Sequence, residues 1–302
     1  MLLGAHMSVA GGAPTAFARA ESVGCTALQI FVKNANRWKG RPLGDEEVRD
    51  FAAERARSGI LPVFAHASYL INLGSPDSAL WERSIRALVD ELERCERLKL
   101  NGLVVHPGAH VGSGEEAGLL RIARGLDRVI AATEGFACPV LLETTAGQGS
   151  TLGWRFEHLA SIREGVSDPA RIAFCFDTCH SFTAGYDLRD EESVREALAE
   201  FDRVCGLDSL RAIHANDSLK PFASRRDRHA HIGCGEIGNA GFAALLRAPE
   251  LQSVPFLLET PKGSELLEDA RNLEVLRALA RGENPDPGPP PSTPEWAKGV
   301  LA

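Results

Sequence analysis

The stretch from Ile172 to Phe182 reads I-A-F-C-F-D-T-C-H-S-F. An apolar run flanked by polar turns predicts a buried strand. In a parallel α/β sheet the carboxyl ends of the strands are where sites are built. Asp177 and His180, both metal-ligand types, stand at that end. Side chains alternate along a strand, so Asp177 shares a face with Ala173 and Cys175, while Phe174 and Phe176 point oppositely, toward helices. A lone Asp closing a strand is more often a turn or cap residue than a ligand. The arrangement gains weight because it recurs.

Working outward, strand-like and helix-like segments alternate eight times. The strand candidates are Leu2–His6, Ala27–Val32, Leu61–His66, Leu103–His106, Val140–Glu143, Ile172–Asp177, Leu210–His214 and Val254–Glu259. The clearest helix is Ala79–Lys99, where Trp81, Ile85, Leu88, Leu92 and Cys95 recur at spacings of four and three. Glu82, Arg83, Arg86, Asp90 and Glu93 fill its other faces. Asp45–Ser58, Glu115–Glu134, Asp190–Val204 and Ser264–Arg281 read as further helices. Eight β-then-α units in about 280 residues match a single-domain (β/α)8 TIM barrel spanning residues 1–281. A doubly wound open sheet is the alternative, but no G-x-G-x-x-G follows any strand. From residue 282 to 302 the character changes. This Pro-rich segment cannot continue a helix and reads as a tail outside the barrel, with Trp296 able to dock back.

The composition, 44% hydrophobic and 25% charged, is that of a soluble globular protein. No run approaches the roughly 18 apolar residues of a membrane span, and the N-terminus lacks the pattern of a signal peptide. Seven cysteines without a C-x-x-C pair point to reduced thiols and the cytoplasm. Cys179 is a weak candidate nucleophile. A net charge of −8 argues at first against nucleic acid. Three divalent cations would add six positive charges and leave about −2, so charge leaves the question open.

Six of the eight strand candidates end in a metal-ligand residue: His66, His106, Glu143, Asp177, His214 and Glu259. In a parallel barrel these ends ring one pocket. A second cluster lies in the loop S-R-R-D-R-H-A-H-I-G-C-G-E-I-G, residues 224–238. There Asp227 and His229 can join His180 around one ion, with a coordination position left open. Spacing alone does not choose between His229 and His231. Arg225, Arg226 and Arg228 add positive charge suited to phosphate. Imidazole and carboxylate ligands without thiolate favour Zn2+, Mn2+ or Fe2+ over Ca2+ or Mg2+. Such a set is too large for one tetrahedral ion and suffices for two or three, with Glu143 or Asp177 placed to bridge. Clustered divalent ions suit in-line displacement at phosphorus.

G-A-H-M-S, H-A-S-Y-L-I-N-L-G, H-P-G-A-H, L-L-E-T-T-A-G-Q-G, D-T-C-H-S-F-T-A-G-Y-D, H-A-N-D-S and D-R-H-A-H-I-G, in this order, resemble the endonuclease IV family. These are apurinic/apyrimidinic (AP) endonucleases of base-excision DNA repair. The resemblance covers residues 1 to about 280. It implies a monomeric TIM barrel with three Zn2+ ions, Mn2+ being an option in one site. The expected reaction is hydrolysis of the phosphodiester 5′ to an abasic site in double-stranded DNA, with 3′-end trimming beside it. By motif, His66, His106 and Glu143 would hold one ion. Glu143 would bridge to a second, completed by Asp177, His214 and Glu259, while His180, Asp227 and His229 would hold the third. Glu143 and Glu259 would be the catalytic carboxylates. Arg37, Tyr69, Leu70, His110 and Arg228 would contact DNA, with His6 beside the site. The loop F-V-K-N-A-N-R-W departs from the family's DNA-contacting loop: Asn36 stands where that loop has arginine, and Arg37 follows.

The nearest rival is a metal-dependent TIM-barrel sugar isomerase or epimerase. Such an enzyme needs two metals at most and an acid/base pair near a polyol, which leaves Asp227, His229 and the arginines superfluous. A non-catalytic lesion-binding protein would keep the fold and close the metal sites.

Overall fold

The computed structural model describes residues 1–288. Eight strands form its centre: β1 (Leu3–Met7), β2 (Ala27–Phe31), β3 (Val63–His66), β4 (Leu103–Val105), β5 (Val140–Glu143), β6 (Ile172–Asp177), β7 (Leu210–His214) and β8 (Phe256–Leu258). Each pairs in parallel with its neighbours in sequence, and β1 pairs with β8 to close the ring. This is the (β/α)8 barrel that the alternation predicts. Two short antiparallel ladders stand on the loops above it, Gly108–Ala109 with Thr151–Leu152 and Asp217–Ser218 with His229–Ala230.

Strands β5, β6 and β7 keep their predicted bounds. The others differ mostly where proline intervenes. Pro62 and Pro255 have no N–H for a ladder, and β3 and β8 begin just after them. His106 precedes Pro107 and lies one residue beyond β4, as Glu259 lies one beyond β8.

The helices are α1 (Thr15–Ser22), α2 (Asp45–Ser58), α3 (Ser78–Arg97), α4 (Glu115–Ala132), α5 (Phe156–Glu164), α6 (Thr178–Ala184), α7 (Glu191–Cys205), α8 (Gly238–Arg247) and α9 (Leu267–Ala280). Sequence periodicity singles out five of these and misses α1, α5, α6 and α8. The four missed have ten residues or fewer, too short for a 3.6-residue period to declare itself. Helix α3 forms as its spacing requires. Asp77 caps it, accepting from Ala79 and Leu80 N–H at 2.8 and 3.1 Å, and Ile85, Leu88, Leu92 and Cys95 are buried on one side. Glu91 and Arg94 are buried there too.

Alternation along the strands separates two apolar layers. Ala27, Phe64, Val104, Leu141, Ala173, Cys175, Ala212 and Leu257 fill the barrel interior. Phe174 and Phe176 belong to the outer layer, where the ring of Phe201 on α7 meets them edge-on at 6.0 and 5.8 Å. Burial of rings like these stabilises a fold by about 3–5 kcal/mol each, judged by truncation to alanine. Glu143, Asp177, His214 and His66 each follow an interior residue by two positions, so the same alternation aims them into the barrel mouth. The backbones of β1 and β2 close tightly at Gly4, where a Cβ would lie 2.0 Å from the Ala27 carbonyl oxygen.

The first part of the Pro-rich segment lies against α8, whose Asn239 donates to Asn284 Oδ1 and the Pro285 carbonyl at 2.9 and 2.8 Å. Trp296 lies outside the described residues. All seven cysteines are free thiols, six of them buried.

Candidate metal centre

Glu143 lies at the middle of the barrel mouth, fully buried. Its Oε2 is 3.1 Å from Nε2 of both His66 and His106. Its Oε1 is 3.0 Å from His214 Nδ1 and 3.3 Å from His180 Nδ1. Asp177, also fully buried, has two tasks. Oδ1 caps α6 by accepting from the His180 N–H at 2.7 Å, and Oδ2 lies 3.6 Å from His229 Nε2. Glu259 Oε2 is 3.3 Å from His214 Nδ1. Asp227 reaches in from the loop, 3.1 Å from His180 Nε2 and 3.3 Å from His229 Nε2.

Four of the five imidazoles are tethered at one ring nitrogen. His66 Nδ1 donates to the Ala67 carbonyl at 2.7 Å, His180 Nδ1 to that of Thr144 at 2.9 Å, and His229 Nδ1 to that of Glu259 at 3.2 Å. His214 donates through Nε2 to Gln29 Oε1 at 2.8 Å. Each ring therefore turns its other nitrogen toward carboxylates, which is how partners of a metal-ligating histidine fix tautomer and orientation. A bare nitrogen facing a carboxylate oxygen at about 3 Å is repulsive unless a cation stands between them. His229 Nε2 is buried there without a hydrogen-bond partner.

The charges behave accordingly. Burial alone would raise the Glu143 carboxyl, but the His106 and His214 imidazoles hold it well below the usual carboxylate range. Burial works against a charge on His180, yet Asp177 and Asp227 outweigh it and push this group well above its ordinary value. His214 is likewise raised, against burial, by Cys175, Glu259 and Glu143. Protons can thus fill the gaps between lone pairs and carboxylates, and so can divalent metal ions. The donor set fits metal in number and type. His66, His106 and Glu143 offer ligand atoms all within 4.8 Å of one another; so do Glu143, Asp177, His214 and Glu259, and so do His180, Asp227 and His229.

The remaining sequence candidates fall into place around these groups. His231 turns away, its Nδ1 3.0 Å from Asn272 Nδ2. Cys179 is buried with its thiol pushed up to about 12 by burial, a poor nucleophile, although its sulfur lies beside Asp177 and His229. His6 sits 3.6 Å from Glu259 Oε1, and burial pushes it down to about 4. Tyr69 stands on the rim, 59% exposed, with its ring 5.3 Å from that of His66 and 5.9 Å from that of His106. Leu70 beside it is half-buried, Arg37 is exposed on the neighbouring loop, and His110 lies near the Gly108–Ala109 ladder. Arg228 bonds the Asp227 carbonyl at 2.6 Å. Arg225 lies 3.8 Å over the Trp154 ring, where it fastens the loop that carries Asp227.

Sequence reasoning passes over three uncharged residues that organise the site. Gln29 spans Glu259 Oε1 at 2.6 Å, His6 Nδ1 at 3.1 Å and His214. Asn216 donates to Asp177 Oδ2 at 2.8 Å and accepts from the Glu259 N–H at 2.8 Å. Thr144 accepts from the Asp177 N–H at 2.8 Å. A search for ligand types omits amides and hydroxyls. For Thr144 and Asn216 the available signal is their place just past a strand end, beside a ligand candidate; Gln29, in the middle of β2, carries none. Asp217 is missed as well: its carboxylate accepts from the N–H groups of Ser218, Gly233, Gly235, Ile237 and Gly238 and gathers the loop beyond His229.

A family profile described as a xylose isomerase-like TIM barrel matches residues 17–279. A protein of Chloroflexus aggregans named probable endonuclease 4 is 51% identical over 92% of this chain and 97% of its own length. One of the same name from Geobacter sulfurreducens is 47% identical over 92% and 94%. The crystal structure of endonuclease IV from Thermus thermophilus superposes with a TM-score of 0.83 at 38% identity, covering 93% of this chain and all of the other. A D-tagatose 3-epimerase-like protein matches at a TM-score of 0.71 with 17% identity, a likeness of fold.

Proposed function

This chain belongs to the endonuclease IV family, among the xylose isomerase-like TIM barrels, and from that premise we propose that it hydrolyses the phosphodiester 5′ to abasic sites in double-stranded DNA. The products are a 3′-hydroxyl and a 5′-deoxyribose phosphate, and the same site trims blocked 3′ ends. The observation that carries the reading is the buried Glu143 carboxylate between four imidazoles, with three ligand groups meeting around it.

The proposal assigns one Zn2+ to His66, His106 and Glu143, a second to Glu143, Asp177, His214 and Glu259, and a third, open to Mn2+, to His180, Asp227 and His229. Bound there, such ions supply charge for the phosphate oxygens and an acidified water. The chain does the rest. Strand β5 holds Glu143 so that each carboxylate oxygen addresses a different group of histidines. Gln29 and Asn216 set the position of Glu259, the second catalytic carboxylate. The carbonyl tethers each take one ring N–H, which fixes the tautomer and aims the other nitrogen inward. On the rim, Tyr69 and Leu70 fill the gap left by the missing base, as apolar wedges do; extruding a nucleotide without a base costs less than flipping an intact one. Arg37, His110 and Arg228 contact the DNA backbone and groove. All these groups come from one chain, which acts as a monomer, and its free thiols suit the cytoplasm.

The test is elemental analysis of purified protein beside incision of an oligonucleotide duplex carrying one abasic site. About three divalent ions per chain, mainly zinc, and loss of incision with chelator are expected. Full incision by metal-free protein would end the reading.

A further inference from the structure

Lys33 and Glu91 form an ion pair buried outside the metal centre, 2.9 Å apart with side chains 2% and 1% exposed. Moving two charges out of water is costly, and well-packed apolar residues of similar volume often serve stability as well. The geometry says what the charges do instead. Lys33 Nζ uses its other protons on the carbonyls of Arg37 and Trp38, at 3.0 and 3.3 Å. Glu91 accepts from the Ser68 N–H at 3.1 Å. The Ser68 hydroxyl donates to the Ala35 carbonyl and accepts from the Leu70 N–H at 3.3 Å. Three carbonyls of the loop carrying Arg37 are thereby tied to the segment carrying Tyr69 and Leu70. The rings of Phe31 and Tyr69, 5.8 Å apart edge-on, close the same contact above.

We propose that Lys33 and Glu91 are positioning residues that hold the two rim loops in register, and so set how strongly the enzyme distinguishes abasic from intact duplex. This rests on the reading of the site as an abasic-DNA nuclease. Neither side chain reaches the metal centre, so the pair acts through Arg37 and Tyr69. The hydrogen bonds to carbonyls are what an apolar replacement cannot supply.

The test is the double variant Lys33→Met/Glu91→Leu, assayed for melting temperature, metal content, kcat and KM on abasic duplex, and Kd for abasic and intact duplexes. Melting temperature and metal content should stay near wild type and kcat within about threefold, while KM rises about tenfold and the preference for abasic duplex falls as far. Ser68→Ala, which removes one hydroxyl without altering the ion pair, should move KM the same way by roughly threefold. Adding Tyr69→Ala to the double variant should cost less than the two effects summed, since both act through one loop. Unchanged KM and preference, additive losses, or unfolding of the double variant alongside an unaffected Ser68→Ala would each overturn the proposal. Wild-type protein that leaves abasic duplex uncut would sink the functional reading and this inference together; normal cutting by both wild type and variants would sink only the inference.

Discussion

Two of the ligand groups and the third are built differently. His66, Glu143, Asp177 and His214 close strands β3, β5, β6 and β7 and are buried, and His106 and Glu259 stand one residue past β4 and β8. Asp227 and His229 belong to the segment after β7, and the Asp227 side chain is 42% exposed. Sheet hydrogen bonds fix the former. The His229 backbone is held by the two-residue ladder with Asp217–Ser218, and the loop around Asp227 depends on side-chain contacts: Arg225 over Trp154, the Phe222 ring 5.6 Å from that of Phe182, and Gln148 Oε1 accepting from the Asp227 N–H at 3.2 Å. A site set on strand ends keeps its geometry whether or not metal is bound, whereas one on a fastened loop holds it only while the fastening lasts. The difference predicts a rigid pair of ions and a third that exchanges.

The largest effect should come from the rigid side. Glu143→Gln keeps the shape but replaces one oxygen by an amide nitrogen that cannot ligate. Incision should fall by roughly three orders of magnitude or more with affinity for abasic duplex little changed, because phosphate contacts lie elsewhere. A variant that retains its metals and cuts at near the wild-type rate would erase the special standing of the buried groups.

Next in size is the loop. Asp227→Ala should release one ion and leave two, lowering incision by about a hundredfold. The same ion should leave first when wild-type protein is titrated with chelator. Simultaneous loss of all three ions, followed by elemental analysis, would show that the third group is no more labile than the others.

The smallest effect concerns metal-free protein. The pKa values of His180 and His214 are raised in the folded state. The stability they contribute is therefore fully present below the ordinary imidazole value and is lost as pH rises through the folded one. Glu143 is depressed, so its contribution is present above the ordinary carboxylate value and is lost as pH falls. Metal-free protein should melt roughly 5 °C lower at pH 9 than at pH 6. Metal-loaded protein should not, since ligands bind more tightly once deprotonated. Parallel melting curves for both forms would argue that protons do not stand in for the metals.

The same contrast explains what could be read in advance. Strand ends at Glu143, Asp177 and His214 are legible because a buried apolar run has one interpretation and its last residue must face the mouth or the helices. The short helices are not legible, and α6 least of all, since its first turn is made by Asp177 acting as cap and ligand candidate together. Spacing leaves His229 and His231 open and the family resemblance favours His229; in the structure His229 pairs with Ser218 beside the site while His231 turns to Asn272. Gln29, Asn216 and Thr144 carry no charge to mark them. The Lys33–Glu91 pair escaped because Glu91 sits on a helix whose other acidic residues mostly face solvent.

The barrel closes through pairing of Leu3–Ala5 with Phe256–Leu258, and Glu259 is the next residue. During synthesis His66, His106 and Glu143 emerge with the first five strands, long before the residue that completes the second group. A chain cut short of Glu259 can therefore supply the first and third groups but not complete the second. Closure of the ring and completion of the second group are one event, so a chain lacking β8 and Glu259 is expected to show no incision.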